Sequence, residues 1–562
     1  MKWKKVMAVV LSCAMLITAF AGCSGGGESS GGGSSSSVAS GSEESSASTP
    51  EETPEVDNTF VQNEDGSFVS GGISFPLEEE VTYTFFTTPD ASTMDLTGGD
   101  LYNNTFWQEF TKRTNVRFEF ITPAIGTERE RYNITISSGD LPDVMSDPVD
   151  YSDGLDAAVD DGYFMDLTEL IPVYMPDYLK VLQDSGYEKD VITDQERYVA
   201  LAMIFTHIQA PTCGLVIRQD WLEELNMEVP QTYEELEAAL EAFKTNYNCE
   251  APLALSKQLY RRLGAGYGVY VGAAGNQLYQ VDGKVKDNYL ENPEGAKAFY
   301  TTMNRWYENG LMDANFMATV SRFPDVSMLN SEQSGASIAM YSAIDTTLKP
   351  VQDAGGQLVG VPTLKENADD ELMFNPWGST PSTVTQNVTI SASCENVETL
   401  LAAFNYFFTE PGFMLANYGI EGQEYTLDEE GNPVFSEEMS ANIAEGLRLH
   451  TLPPSWGPSW VEPDRQNASV SANALEMQQI WDGGIESAYA MPSVTLTAEE
   501  MDEFSSIYND LNTFAEEHEL QFITGALDIE TEWDSFIQQY TDMGAERCVE
   551  IYQAALDRYN AR

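Results

Sequence analysis

The chain has 562 residues, of which 90 are aspartate or glutamate and 28 are lysine or arginine, so its formal net charge is −62. This acidity argues against nucleic-acid binding, which needs basic residues to neutralise phosphates, and against electrostatic attachment to anionic lipid. With 42% hydrophobic residues the chain is globular, and its length predicts at least two lobes because one core rarely supports more than about 300 residues.

The first 22 residues form a three-part pattern that is typical of an export signal. Three lysines precede an apolar run over residues 6–20, and small residues follow. The run is shorter than the roughly 20 apolar residues of a spanning helix. The tetrapeptide that ends at Cys23, FAGC, resembles the bacterial lipobox, in which the cysteine is acylated and the chain is cut before it. We therefore predict that Cys23 is a lipid anchor on the extracellular face of the bacterial cell membrane; the alternative is an ordinary secretory signal.

Residues 23–58 consist largely of glycine, serine, glutamate and threonine. A segment of this composition cannot bury enough apolar surface to offset the entropy of ordering. We therefore expect a flexible tether, whose reach is about 30 to 35 Å for a chain of this length.

The next segments alternate between strand and helix patterns. The stretch VTYTFF from Val81 and the later VRFEFI read as strands, and a helical pattern separates them, so a parallel pair is predicted. Further along, Thr232 stands three residues before Glu235 in a capping box that predicts a helix start. The stretches SGASIAMYSAI and NVTISAS read as buried strands, and the last part of the chain is helical with a break at Gly544.

Cysteine and histidine spacing gives no metal or nucleophile pattern. Beyond Cys23, the cysteines are widely separated, and the three histidines are far apart as well, which weakens a zinc site or a Ser-His-Asp triad. We predict buried thiols and leave one disulfide open, and we expect no metal and no cofactor. The cysteines concerned are Cys213, Cys249, Cys394 and Cys548.

A series of segments, taken in order, resembles the family 1 extracellular solute-binding lipoproteins, the sugar receptors of ATP-driven (ABC) importers that are distantly related to maltose-binding protein. The resemblance covers nearly the whole chain after residue 73, and the order of the segments carries it more than any one motif. The segments are SGDLPDVM, GYFMDLTELI, LVIRQDWLEELNMEVPQTYEELEAALEAFK, NPEGAKAFYTTMNRWYENGLMD, EPGFMLANYGIEG and EIYQAALDRYN.

This resemblance implies an α/β fold of the periplasmic-binding-protein type II class. Two lobes, each a mixed sheet flanked by helices, would close on a ligand like a clamp, and the carboxyl-terminal part would be helical. The implied chain course is lobe 1 at 73–210, lobe 2 at 211–388, a return to lobe 1 at 389–440, and lobe 2 with terminal helices at 441–562. It also implies a monomer that binds a carbohydrate without chemistry and passes it to importer permease subunits.

Some relatives carry a calcium loop after the helix that corresponds to EELEAALEAFK. Here the next residues are TNYNCEAPLALS, which lack the alternating carboxylates that calcium requires. We therefore do not extend the calcium site to this chain.

Sugar receptors stack aromatic rings on apolar sugar faces, so tryptophans in loops are candidate ligand contacts. Trp377, Trp456 and Trp460 lie in segments rich in proline and glycine, where a helix or a central strand is disfavoured. We predict that all three contact ligand; the alternative is that each packs a loop onto the body of the protein.

Five further residues are candidate contacts by their position along the family pattern. Two of them follow the first strand, one lies at the end of a later strand, one lies near the first crossing between the lobes, and one lies in the strand IAMYS. The set is Thr87, Thr88, Asp147, Gln209 and Tyr341. Asp147 can accept strong hydrogen bonds from sugar hydroxyls because it is charged, or it can cap a helix instead.

The charge of the ligand is less constrained by the sequence. Basic residues are scarce, and the nearest candidates for the cleft are Arg218, Arg261 and Arg262, so a neutral oligosaccharide is preferred. A secreted glycoside hydrolase, which needs only two suitably spaced carboxylates, and a surface sensor or adhesin remain as alternatives. No H-E-x-x-H or P-loop pattern supports an enzyme.

Overall fold

The computed structural model describes residues 58–147, 151, 154–206, 210–270, 277–318, 326–378, 384–453, 457–468, 470–483 and 489–562. In these residues two larger sheets each pack against an apolar core of their own. No helix in the described ranges is long and apolar enough to cross a bilayer.

The first lobe is built on a six-stranded sheet with the order β17-β7-β14-β6-β4-β5. Strand β4 runs parallel to β5 and to β6, which confirms the predicted strand, helix, strand unit, and β14 runs antiparallel to β6 and β7. The strands are β4 (Val81–Phe86), β5 (Val116–Ile121), β6 (Val144–Ser146), β7 (Ala200–Phe205), β14 (Val384–Ile390) and β17 (Ser459–Val461).

The second lobe is built on a four-stranded sheet with the order β13-β8-β12-β9. Strand β8 runs antiparallel to both β12 and β13, whereas β9 runs parallel to β12. The strands are β8 (Cys213–Arg218), β9 (Leu253–Ala254), β12 (Ala336–Met340) and β13 (Leu358–Gly360).

Small antiparallel ladders and α-helices complete the two lobes. The ladders are β1 (Val61–Gln62), β2 (Phe68–Ser70) and β3 (Ile73–Phe75); β10 (Leu278–Val281) and β11 (Lys284–Asp287); β15 (Tyr425–Leu427) and β16 (Pro433–Phe435). The helices are α1 (Ala91–Leu96), α2 (Thr105–Thr114), α3 (Glu128–Ser138), α4 (Leu155–Asp160), α5 (Ile171–Tyr174), α6 (Pro176–Ser185), α7 (Gln219–Glu224), α8 (Tyr233–Asn246), α9 (Asn288–Glu291), α10 (Pro293–Glu308), α11 (Ser327–Asn330), α12 (Tyr341–Ile344), α13 (Lys349–Asp353), α14 (Val397–Asn405), α15 (Glu410–Tyr418), α16 (Glu437–Ala441), α17 (Ile443–His450), α18 (Pro463–Asn467), α19 (Ala472–Asp482), α20 (Ala498–Ile523), α21 (Ile529–Asp542) and α22 (Ala545–Ala561).

Local sequence signals account for the clearest helix boundaries. At the start of α8 the Thr232 hydroxyl accepts a hydrogen bond from the Glu235 amide, and the Glu235 carboxylate accepts one from the Thr232 amide, so the predicted capping box is confirmed. The predicted break between α21 and α22 is also confirmed. Gly544 has φ of +109° there, a backbone conformation that side chains other than glycine's rarely adopt.

The first lobe begins earlier than residue 73, where the sequence placed its start. The β1–β3 ladder packs on the first core, and the ring of Phe68 stacks on Phe75 and on Tyr406 at centroid separations of 5.2 and 4.5 Å. The strands are only two or three residues long, so their alternation of polar and apolar residues is too short to be recognised in the sequence.

Two of the lobe boundaries differ from the implied chain course. A boundary after residue 388 would divide β14, whose Val388 pairs with Ser146 on one side and Leu201 on the other. A boundary at residue 441 would separate α17 from the first-lobe helices α1 and α2, on which it packs. The chain therefore crosses between lobes after Phe205, between β13 and β14, and between β17 and α19.

The four cysteines of the folded part are buried free thiols in this structure. Burial raises the pKa of the Cys249 thiol to about 11, which leaves it protonated at neutral pH. In the part of the chain that the structure describes, no group of three or more His, Cys, Asp or Glu residues could hold a metal ion.

Candidate functional site

The strand directions place one edge of each sheet at the junction of the lobes. The carboxyl ends of β4, β6, β7 and β17 share an edge with the amino end of β14, and the first two crossings start or finish at this edge. The facing edge of the second sheet holds the amino end of β8 and the carboxyl ends of β12 and β13. Ligands of open α/β sheets bind outside such strand ends.

Thr88 and Asp147 come together at the first-lobe edge. The parallel register of β4 and β6 pairs Phe86 with Met145, and two further residues bring Thr88 beside Asp147. The hydroxyls of Thr88 and Ser146 both donate to Oδ2 of Asp147, at 2.8 and 2.9 Å. Oδ1 accepts no hydrogen bond from any described residue. The site thus presents a carboxylate that is held by neutral hydroxyls and has one oxygen without a hydrogen-bond partner in the described part of the chain.

Thr87 lies at the end of β4 and is 1% exposed. Its amide donates to the Ile121 carbonyl at 3.1 Å, but its hydroxyl has no hydrogen-bond partner among the described residues. A buried hydroxyl without a partner costs about 1 to 3 kcal/mol. Contact between Thr87 and a ligand stays a prediction.

Tyr341 lies at the edge of the second lobe, where β12 ends and α12 begins. Its amide donates to the carbonyl of Thr212 at 3.0 Å, which holds the start of α12 against the first crossing. Asp345, just after α12, accepts a hydrogen bond from the Ser471 amide at 2.8 Å and so joins α12 to the third crossing. The structure therefore places Tyr341 among the segments that connect the lobes.

Arg465 is a cation at the same junction that the sequence analysis did not identify. Its Nε donates to the carbonyl of Asn417 at 2.5 Å, and its Nη2 donates to the hydroxyl of Thr451 at 3.5 Å. Both partners belong to the first lobe. Burial lowers the pKa of Arg465 to about 10, an effect partly opposed by the nearby phenols of Tyr418 and Tyr341. Arg465 belongs to α18, which lies in the third crossing between β17 and α19, so the guanidinium is held where the chain passes from one lobe to the other.

The arginines that the sequence suggested are occupied elsewhere. Arg218 forms an ion pair with Asp220 at 2.6 Å, and Arg261 pairs with Glu519 at 2.6 Å. Arg262 donates to the carbonyl of Pro376. One signal could have drawn attention to Arg465, which follows Trp460 by five residues in the same proline-containing segment.

Trp377 and Trp460 are packed mainly within their own lobes. Trp377 is 4% exposed in the second core, and its indole N–H has no partner among the described residues. Trp460 lies in β17, donates its indole N–H to the Phe407 carbonyl at 3.0 Å, and packs on the ring of Phe413 at 4.4 Å. Ligand contact by either ring stays a prediction. Gln209, Trp456 and Cys23 lie outside the described residues.

Comparison with known proteins agrees with this architecture. Residues 105–416 match the family described as bacterial extracellular solute-binding protein. The chain is 22% identical over 527 residues to the fructooligosaccharide ABC transporter substrate-binding protein FusA of Streptococcus pneumoniae, covering 87% of this chain and 93% of FusA. It is 22% identical over 327 residues to the polygalacturonan/rhamnogalacturonan-binding protein YtcQ of Bacillus subtilis, covering 58% of this chain and 64% of YtcQ.

Solved structures show the same fold. An extracellular solute-binding protein from Bifidobacterium longum subsp. infantis superposes with a TM-score of 0.70 at 16% identity, covering 85% of this chain and 98% of that one. FusA in complex with kestose gives a TM-score of 0.67 at 19% identity, covering 86% of this chain and all of that one. These relatives are binding proteins, and the match extends over more than half of the chain. The chain therefore belongs to the bacterial extracellular solute-binding protein family.

Proposed function

We propose that this protein is a lipid-anchored receptor that captures an oligosaccharide between its lobes and delivers it unaltered to an ABC importer. The observation that carries the proposal is the pair of facing strand edges, with the Thr88–Asp147 pair on one lobe and Tyr341 on the other. Family membership supports it, as do the names of FusA and YtcQ, which both state carbohydrate ligands.

The chemistry of these edges suits sugar hydroxyls. The available oxygen of Asp147 can accept from a hydroxyl, and a charge-assisted bond of this kind is stronger than a neutral one. The phenol of Tyr341 offers an apolar face for the C–H side of a sugar ring and a hydroxyl at its rim. A ligand that touches both lobes favours the closed arrangement, because only that arrangement makes both sets of contacts.

A thermal-shift screen of the purified full chain against a panel of oligosaccharides tests the proposal. A ligand present at about 100 times its dissociation constant stabilises the folded state by about 2.7 kcal/mol and raises the melting temperature. Asp147→Asn should weaken binding of that ligand about tenfold or more while leaving the unliganded melting temperature nearly unchanged. The control is Asp184→Asn, which alters an exposed ion pair with Lys180 and should bind like the wild type.

Two results would contradict this function. One is a panel in which no oligosaccharide shifts the melting temperature, and the other is wild-type affinity in the Asp147→Asn variant. Chromatography of the ligand after incubation with the protein separates binding from hydrolysis, because a receptor returns the sugar intact.

The anchor is tested separately at Cys23. Mass spectrometry of the amino-terminal peptide from membranes should show an acylated cysteine. The Cys23→Ala variant should not acquire the lipid. The anchor would be contradicted if the amino-terminal peptides of the wild type and of the variant differed in mass by the substitution alone.

A further inference from the structure

We propose that the captured oligosaccharide is acidic and that Arg465 binds its anionic group, either a uronate carboxylate or a sulfate ester. This inference rests on the proposed function and names the ligand class of the same site. It reverses the preference for a neutral ligand, which depended on Arg218, Arg261 and Arg262 as the nearest cations.

The hydrogen bonds of Arg465 leave most of its donors free. A guanidinium has five N–H donors in a planar fork. Two of these are used, by the Asn417 carbonyl and by the Thr451 hydroxyl. No described carboxylate lies within 4 Å, although the chain contains 90 acidic residues. The fork can therefore accept a further partner without displacing an ion pair.

Three other arginines with little exposure have a carboxylate partner, whereas the buried Arg262 donates to the carbonyl of Pro376. Arg218 pairs with Asp220, Arg261 with Glu519, and Arg562 with Asp194 at 2.7 Å. A charge removed from water is costly unless it is paired, so these structural arginines carry permanent partners. Arg465 has no carboxylate within 4 Å among the described residues, so the acid group of a ligand can serve as its counter-charge.

The position of Arg465 points to a ligand rather than to another part of the protein. The first lobe holds the guanidinium through Asn417 and Thr451, while Tyr341 of the second lobe lies near it. An anion bound here would be contacted at the junction of the lobes. The planar fork matches a carboxylate in a two-bond geometry, and it also binds the oxygens of a sulfate.

Asp147 limits the choice of anion. Its carboxylate has no cation within 4 Å among the described residues, so it disfavours a densely charged ligand and favours one with many hydroxyls. A sugar chain with isolated acid groups satisfies both residues, because its hydroxyls donate to Asp147 and its acid accepts from Arg465.

Isothermal titration calorimetry with the full chain tests this inference. The probes are trisaccharides of galacturonic, mannuronic and glucuronic acid, each beside the neutral trisaccharide of the parent hexose, together with a 6-sulfated galactotriose. At least one acidic trisaccharide should bind ten times or more tightly than its neutral counterpart, and its affinity should fall as salt rises. Comparison of the uronates with the sulfated sugar distinguishes the two anions.

Variants connect the charge preference to Arg465. Arg465→Gln should lower the affinity for the acidic ligand about 30-fold or more while changing affinity for the neutral counterpart much less. Arg465→Lys should restore part of the preference, because it keeps the charge and loses the planar fork. Arg448→Gln, which alters a partly exposed arginine of the first lobe, should retain the wild-type preference.

The outcomes separate this inference from the function on which it rests. The inference would be overturned if a neutral trisaccharide bound as tightly as its acidic counterpart. It would also be overturned if Arg465→Gln kept the wild-type preference for the acidic ligand. Either result would leave the proposed function standing. Failure of every trisaccharide to bind would overturn both.

Discussion

Two arginines of this protein, Arg261 and Arg465, are removed from water in different ways. In the second core, Nε of Arg261 donates to Glu519, which is 0% exposed and also accepts from the hydroxyls of Tyr260 and Tyr289. At the lobe junction, the hydrogen-bond partners of Arg465 among the described residues are a carbonyl and a hydroxyl. The core charge is neutralised by Glu519, whereas no carboxylate of the described residues lies within 4 Å of the junction charge.

The difference follows from what each region must do. Glu519 belongs to α20, and its partners lie near residue 260 and in α9, so the network fastens the terminal helices to the second lobe. A structural joint of this kind needs its partners at all times. A binding site needs a group whose best partner arrives with the ligand, and it tolerates some loss of stability until then.

The largest effect is expected at Glu519. Glu519→Gln leaves the buried guanidinium of Arg261 without its counter-charge, so the free energy of unfolding should fall by about 3 to 5 kcal/mol. Urea unfolding followed by tryptophan fluorescence measures this change. Glu516→Gln, which breaks a partly exposed pair with Lys257, should cost less than about 1 kcal/mol. Equal losses in the two variants would show that burial does not distinguish these pairs.

A buried acid, Asp287, which forms no ion pair with a described residue, should produce a pH dependence. Burial raises the pKa of Asp287 from 3.8 to about 6, although the Tyr540 hydroxyl and two backbone amides donate to it. Its folded state therefore holds a proton that the unfolded chain releases between pH 4 and 6. Stability should decline as pH rises through this window, by about 3 kcal/mol from this group.

The variant Asp287→Asn isolates that contribution. Because asparagine does not titrate, the stability of wild type relative to this variant should fall between pH 4 and 7, and unfolding at several pH values measures it. A difference that stays constant across this range would contradict the raised pKa.

An intermediate effect is expected where α22 meets the loop before β7. Both Arg558 and Arg562 donate to the carboxylate of Asp194, at 2.9 and 2.7 Å. Asp194→Asn removes the charge that both arginines share, so the free energy of unfolding should fall by about 2 kcal/mol. The exposed pair of Arg547 and Glu503 provides the control, since Glu503→Gln should cost less than about 1 kcal/mol.

The smallest effect on stability is expected at Arg465. Arg465→Met loses two hydrogen bonds but also removes an unpaired charge from a poorly solvated place, so the unliganded protein should stay within about 1 kcal/mol of wild type. Thermal unfolding without ligand measures this. A loss as large as that of Glu519→Gln would show that Arg465 is a structural residue like Arg261, and the contrast between the two would fail.

The sequence by itself determined the features that depend on neighbouring residues. The alternation around Val81, the capping box at Thr232 and the break at Gly544 all correspond to elements of the structure. Each arises because backbone geometry and side-chain spacing act within a few residues. The order of such segments also indicated the family and the fold class.

Only the tertiary structure decided what depends on residues far apart in the chain. The place of β14 inside the first sheet follows from its pairing with β6 and β7, and Val384 of β14 pairs with Ile204 of β7, far earlier in the chain. The absence of a counter-charge at Arg465 depends on the positions of every described carboxylate at once. A sequence specifies how many charges a chain carries, but only folding decides which of them lose their water and which meet a partner.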